Sequence, residues 1–113
     1  MKVYYAHTES LFGSETESQD QNTLGHFGMN IVDPSWPDIQ VKVKMMREDG
    51  MTEDEIQGFL NRYIDECDAL VYRGNKDGSV PDDVQRAIDR IVDTNKPVLQ
   101  LPAFTEAVES DTE

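Results

Sequence analysis

Four short apolar runs recur along the chain, separated by intervals too long for hairpin turns. Each run is rich in β-branched, aromatic or aliphatic residues, a composition typical of strands buried in a sheet. Strands that are joined through a helix pair in parallel, with a right-handed crossover. We expect strands at residues 2–6, 29–32, 68–72 and 97–101.

Helical patterns lie between these runs. Residues 14–17 and 52–55 begin with Ser or Thr and end with Glu, the capping-box pattern that opens a helix. Pro81 suits a first helical turn, where its missing N–H would have no partner. The apolar residues after Pro81 recur every three or four positions and therefore share one helix face. We expect helices at residues 14–27, 53–66 and 81–94.

The alternation of strands and helices predicts an α/β fold. We expect a small Rossmann-like (flavodoxin-like) three-layer fold with a mainly parallel sheet of four to five strands. The strand order 2-1-3-4 would place the topological switch point between the first and third strands, where ligands bind beyond the carboxyl ends. Residues 1–104 are expected to form one domain, and residues 105–113 a flexible acidic tail.

The stretch 38–51 is ambiguous. Ile39, Val41 and Val43 alternate with polar residues, which predicts a short, half-exposed strand. A lone helical turn or a mobile insert remains open, because no second signal supports the strand. Trp36 lies between two prolines and is either a lid over the core or an exposed contact for a partner.

The charge of the chain narrows the range of partners. Ten Lys and Arg residues stand against 23 Asp and Glu residues, a formal charge of −13. Such a surface repels phosphate, so we expect neither nucleic acid nor an anionic membrane as a partner. Solubility explains the charge most simply, and an acidic decoy that mimics nucleic acid is the sharper alternative.

A cytoplasmic location is expected for three reasons. No apolar run approaches the roughly 18 residues of a membrane helix. The first residues already form a strand rather than a signal peptide. The single cysteine, Cys67, has no partner for an internal disulfide, and we expect it to be a small buried side chain.

Candidate binding residues follow the strands, because the crevice lies beyond their carboxyl ends. Tyr4 and Tyr5 point to opposite faces of the first strand, and we choose Tyr5 for the crevice. His7 is either a structural loop residue or an acid/base, since histidine titrates near neutral pH. The expected ligand-binding residues are Tyr5, His7, Thr8, Asp33, Tyr72, Arg73 and Ser79.

Neither a metal nor a cofactor is expected. Two distant histidines and one cysteine give no metal-ligand spacing. The chain has no Gly-rich dinucleotide fingerprint and no Walker loop.

Four segments of the chain resemble the nucleoside 2-deoxyribosyltransferase-like superfamily, which includes nucleotide N-glycoside hydrolases. They are KVYYAH (2–7), LGHFGMNIVDP (24–34), DECDALVY (65–72) and DGSVPDDVQRAIDRIVDTNKPVLQL (77–101). The resemblance implies a Rossmann-like fold, oligomers that share active sites, and cleavage of the bond between a base and its sugar. It also implies a carboxylate nucleophile on the helix after the third strand, a tyrosine near the first strand and further Asp residues in the pocket.

The chain departs from this family at the nucleophile. The family's Glu commonly lies nine residues before the Lys of a closing Lys-Pro-Val, a count that ends here on Ala87. A methyl group can neither capture nor stabilise an oxocarbenium-like sugar. The nearest carboxylate on the same helix face is Asp83, whose simpler role is to satisfy N–H groups at the helix start beside Asp82. Asp77, in the preceding loop, is the other candidate catalytic carboxylate.

The start of this helix also bears on the charge of the ligand. Asp82 and Asp83 occupy the position where nucleotide-binding members of the resembling superfamily place phosphate. Two carboxylates there would repel phosphate, although Arg73, Lys76 and Ser79 can offset them from the loop. The balance leans against tight phosphate binding.

We therefore expect binding of a nucleoside, nucleotide or related ribosyl ligand, without turnover. A degenerate N-glycoside hydrolase or deoxyribosyltransferase that uses Asp83 or Asp77 is one alternative. An acidic protein-interaction module with a vestigial crevice is the other. A homodimer or larger assembly is expected to bury apolar surface of the 53–66 helix, because a chain this small buries a limited core alone.

Overall fold

The computed structural model describes residues 1–101. The predicted tail, 105–113, lies outside these residues. Strands and helices alternate along the described chain except between the second and third strands, where two helices follow each other, and a short 3-10 turn lies at Glu9–Leu11. The elements are β1 Lys2–Ala6, α1 Glu15–His26, β2 Asn30–Val32, α2 Pro37–Glu48, α3 Glu53–Asp65, β3 Ala69–Tyr72, α4 Asp82–Asp93 and β4 Val98–Gln100.

Within the described residues, four strands form one sheet in the order β2-β1-β3-β4, and every neighbouring pair is parallel. The predicted α/β class and strand order are confirmed. Ala6 pairs with Tyr72 at the ends of β1 and β3, so these two strands finish at the same level. His7 and Arg73 consequently leave the sheet side by side at the switch point.

Helices cover both faces of the sheet. On one face, Tyr5 belongs to the same apolar cluster as Leu24 of α1. On the other face, Tyr4 clusters with Ile91 of α4 and with residues of α3. Helix α2 lies outside α3, where Ile39 joins a third cluster. Tyr4 and Tyr5 therefore point to opposite faces, as strand alternation predicts.

The strand predicted within 38–51 is wrong, because these residues belong largely to helix α2. Ile39 and Val43 are buried one helical turn apart, whereas Val41 between them is 57% exposed. A strand would have placed all three on one face. Pro37 opens the helix, where its missing N–H is not needed.

Helix α3 begins with the predicted capping box. Thr52 Oγ1 accepts a hydrogen bond from Glu55 N, and the Glu55 carboxylate accepts one from Thr52 N. Ile56 packs against α2, and Ile64 packs against the sheet and α4, so both are buried within the chain. Phe59, Leu60 and Tyr63 on the same face are half-buried. The expected subunit contact through this helix stays a prediction.

Several large apolar side chains remain exposed elsewhere. They are Met1, Phe27, Trp36, Val41, Met45, Val92 and Leu99. None of the helices among residues 1–101 combines the length and hydrophobicity that crossing a bilayer requires.

Candidate functional site

A narrow cavity of about 50 Å³ lies beyond the carboxyl end of β1. Tyr4 and Ala87 contribute to its wall from the sheet and from α4, and His7 lines it from the end of β1. The tyrosine of β1 at this cavity is thus Tyr4, while Tyr5 lies fully buried on the α1 side of the sheet. Its other lining residues include Glu9, Phe12, Pro34, Leu60 and Asp83.

A second cavity, of about 130 Å³, lies on the other side of residues 8–11. Thr8 and Leu11 form one wall, and Arg73 with the following residues forms the opposite wall. Since Glu9 lines the first cavity, the short segment 8–11 separates the two. Residues 8–11 therefore border both spaces at the carboxyl edge.

Asp83 ties helix α4 to this segment. Its Oδ2 accepts hydrogen bonds from Thr8 Oγ1 and from Glu9 N, both at 3.2 Å. Its Oδ1 accepts one from Val84 N at 2.9 Å. Arg47 Nη2 reaches the same segment from α2 through an ion pair with Glu9, at 2.5 Å. Both oxygens of Asp83 are thus engaged in holding the segment and the helix start.

A buried network joins β1, α1 and β3 below the second cavity. Asp20 Oδ2 accepts hydrogen bonds from the Tyr5 hydroxyl at 2.5 Å and from Arg73 Nε at 3.0 Å. Asp20 Oδ1 accepts a third from Arg73 Nη2 at 2.5 Å. Burial raises the pKa of the Tyr5 hydroxyl, and the hydrogen bond and charge of Asp20 raise it further. Tyr5 therefore stays protonated and acts as a donor.

Beside this network, His7, Glu17 and Asp33 form a second buried cluster. His7 Nε2 lies 2.5 Å from Glu17 Oε2 and 3.8 Å from Asp33 Oδ1. His7 Nδ1 lies 3.1 Å from the backbone oxygen of Tyr5, which only accepts hydrogen bonds, so Nδ1 must carry a proton. The imidazole also stacks on the Tyr5 ring at 3.9 Å between centroids. With both nitrogens engaged, His7 offers no free acid/base atom to the cavity in this conformation.

The two carboxylates of this cluster are held by further hydrogen bonds. Glu17 Oε1 accepts from Gly13 N at 3.1 Å. Asp33 accepts from Ser35 N at 2.8 Å and from Gln21 Nε2 at 2.7 Å. Desolvation raises the pKa of Glu17, but the hydrogen bonds from His7, Gly13 and Ser35 outweigh it and hold that pKa below its ordinary value. Glu17 is therefore an anion near neutral pH.

Glu17 and Asp20 were missing from the sequence-based prediction of the site. The prediction assigned Glu17 to a capping box, and Ser14 Oγ does accept a hydrogen bond from Glu17 N. The Glu17 side chain, however, turns inward to His7. The signal was present in helix α1, where Glu17, Asp20 and Gln21 share the face of Leu24, at the spacing usually filled by apolar residues.

The remaining predicted residues are spread around this edge. Thr8 and Arg73 line the second cavity, and Tyr72 is half-buried against the α3–α4 side of the sheet. Asp77 and Ser79 lie in an exposed turn, where Asp77 Oδ1 accepts from Ser79 N and Oγ. These hydrogen bonds lower the pKa of Asp77. Asp77 thus acts as a turn residue here.

The fold and these clusters define a class: a small parallel α/β protein with a buried polar cluster under a narrow cavity at its switch point. No family model, curated protein or solved structure matches this chain.

Proposed function

We propose that this chain binds a nucleoside or related ribosyl compound at the carboxyl edge of β1 and β3, without cleaving it. The location supports the proposal, because open parallel sheets bind ligands at the switch point. Tyr4 and Phe12 supply aromatic surface to the first cavity, and Asp83 supplies hydrogen-bond acceptors beside it. This is the mixture of apolar and polar groups that small-molecule sites use.

The proposal that the ligand is not cleaved rests on Ala87 in the wall of the first cavity. Its methyl group lines the first cavity, at the position where the resembling family has its nucleophilic carboxylate. Asp83, one helical turn earlier, has both oxygens engaged by residues 8–9 and by Val84. Departure of a base leaves a sugar cation that a carboxylate must capture or stabilise.

Ligand entry requires the segment 8–11 to move, since 50 Å³ holds far less than a nucleoside. Displacement of this segment would join the two cavities and release Asp83 from Thr8 and Glu9. Sugar hydroxyls are donors and can replace those two hydrogen bonds to the carboxylate. Phosphate suits the site less well, because Asp82 and Asp83 begin helix α4 and repel an anion there.

The test is a calorimetric titration of the purified chain with nucleosides, their monophosphates and free ribose, with chromatography to detect released base. We expect saturable nucleoside binding, weaker binding of the monophosphates and no released base. Asp83→Asn should weaken binding, whereas Asp82→Asn, an equal charge change at an exposed neighbouring position, should not. Ala87→Leu should fill the first cavity and block binding.

Two results would contradict the proposal. The first is the absence of saturable binding to any compound of the panel. The second is release of base by the wild-type chain that Asp83→Asn abolishes, which would establish the hydrolase alternative.

A further inference from the structure

The cluster of His7, Glu17 and Asp33 creates a position that demands positive charge. Because His7 Nδ1 donates to the Tyr5 carbonyl, a neutral imidazole presents a bare lone pair at Nε2. That lone pair faces an ionised carboxylate oxygen of Glu17 at 2.5 Å, with Asp33 Oδ1 3.8 Å away. The lone pairs of His7 Nε2 and Glu17 Oε2 cannot face each other at 2.5 Å unless a proton or a metal ion lies between them.

The charge balance favours a divalent ion over a proton. Asp20 is neutralised by the buried Arg73 guanidinium, which leaves Glu17 and Asp33 to be balanced by His7. One proton shared between His7 and Glu17 leaves this group with a net charge of −1. A divalent ion in place of that proton makes the three side chains and the ion neutral, and buried sites favour neutrality.

The surrounding hydrogen bonds resemble the outer shell of a metal site. His7 Nδ1, the ring nitrogen that points away from the carboxylates, donates to the Tyr5 backbone carbonyl. This is the arrangement that orients metal-ligating imidazoles. The far oxygen of Glu17 is held by Gly13 N, and Asp33 is held by Ser35 N and Gln21. The ligand atoms all lie within 4.8 Å of one another, and His7 borders the first cavity.

We propose that His7 Nε2, Glu17 and Asp33 bind a divalent transition-metal ion, with Zn²⁺ as the best fit. One imidazole and two carboxylates match the donor atoms that Zn²⁺ takes, and Mg²⁺ and Ca²⁺ prefer oxygen alone. At Zn–N and Zn–O distances of about 2.1 Å, tetrahedral ligand atoms lie roughly 3.4 Å apart. Binding thus needs the Glu17 oxygen to move away from Nε2 by a little under 1 Å, and Asp33 to approach by about half as much.

Binding is balanced by the loss of a proton. As Zn²⁺ takes the lone pairs of His7 Nε2 and Glu17, the proton that otherwise lies between these two atoms leaves to solvent. No change of oxidation state is involved.

The experiment is a calorimetric titration of the chelator-treated chain with Zn²⁺ near pH 7, in two buffers of different ionisation enthalpy and without nucleoside. We expect one site and release of about one proton per ion. Mg²⁺ at the same ionic strength is the control for loose attraction to the acidic surface, and it should not compete. His7→Gln should weaken Zn²⁺ binding by about 100-fold or more, while the exposed His26→Gln should leave it unchanged.

A second measurement needs no variant and remains decisive if His7→Gln does not fold. The ¹⁵N resonances of the two histidine rings are followed in the wild-type chain as Zn²⁺ is added. We expect His7 Nε2 to shift, and His7 Nδ1 to keep the proton that it donates to Tyr5. Zn²⁺ binding that perturbs only His26, that survives His7→Gln, that releases no proton or that Mg²⁺ displaces overturns the proposal. Because nucleoside is absent, these outcomes do not depend on the proposed function.

Discussion

Two bidentate Arg–Asp pairs in this chain share one geometry and differ in burial. Breaking each pair by mutation therefore shows how much burial changes the free energy of unfolding that is lost with an ion pair. Arg73 contacts Asp20 at 3.0 and 2.5 Å, and Arg90 contacts Asp65 at 2.8 and 2.5 Å. The side chains of Arg73 and Asp20 are 3% and 2% exposed. Those of Arg90 and Asp65 are 38% and 41% exposed. We predict that Asp20→Ala destabilises the chain far more than Asp65→Ala.

The magnitude follows from desolvation. Asp20→Ala removes the bidentate carboxylate from a guanidinium that is only 3% exposed, and it also removes the acceptor of the Tyr5 hydroxyl. Breaking a buried pair by removing one partner costs about 3–5 kcal/mol, a large share of the roughly 5–15 kcal/mol that holds a domain folded. After Asp65→Ala, water solvates the exposed Arg90, so the loss should be small.

Urea denaturation followed by circular dichroism gives the free energies of unfolding of the Asp20→Ala and Asp65→Ala variants. A double variant, Asp20→Leu with Arg73→Met, should be more stable than Asp20→Ala, because it removes both partners of the buried ion pair together. Equal losses for Asp20→Ala and Asp65→Ala would refute the reasoning. They would mean that water reaches Arg73 as readily as it reaches Arg90.

Further predictions concern pH, reactivity, salt and assembly. The folded-state pKa of Glu17 lies below its ordinary value of 4.5. The ionised Glu17 side chain therefore stabilises the fold fully above pH 4.5, and this stabilisation is lost as the pH falls through the lower folded-state pKa. The stability difference between wild type and Glu17→Gln should shrink as the pH falls over that range, and a constant difference would contradict the prediction. Burial raises the pKa of the Cys67 thiol to about 11, so a disulfide reagent at pH 8 should react only as fast as the chain unfolds, with the urea-unfolded chain as the control. The melting temperature should rise between low salt and about 0.5 M salt, because counterions screen the charge of −13; a flat or falling value would mean that local pairing already compensates the repulsion. A homodimer or larger assembly remains a prediction, which light scattering of a 12.8 kDa species at micromolar concentration would contradict.

The sheet and three of the helices could be predicted because their signals are local. Apolar runs, capping boxes and Pro81 mark those elements within a residue or two of their observed bounds. Helix α2 was missed because Ile39 and Val43 fit two periods at once. Alternation with Val41 suggested a strand, while Met46 continues the helical spacing that the structure adopts.

Part of the candidate site could be predicted, because topology places the residues that follow the strands but does not show which way the polar residues of a helix face. His7 and Asp33 follow strands, so topology alone places them at the carboxyl edge. The carboxylates of α1 were explained locally, as a cap and a polar surface, and nothing in a local pattern shows which way a polar residue faces. Only the position of α1 against β1 reveals that Glu17 and Asp20 point inward.

The inward face of α1 gives the strongest indication that this edge of the sheet does more than fold. A helix that covers a sheet usually buries aliphatic residues, each worth about 1.5–3 kcal/mol when fully buried. Here Leu24 is its one buried apolar residue among those described, and Glu17 and Asp20 occupy the other buried positions. Buried ion pairs seldom stabilise more than apolar residues of similar size. Two buried polar pairs, His7 with Glu17 and Arg73 with Asp20, therefore cost stability relative to an apolar helix face, and they support the proposals of a cation and a polar ligand at this edge.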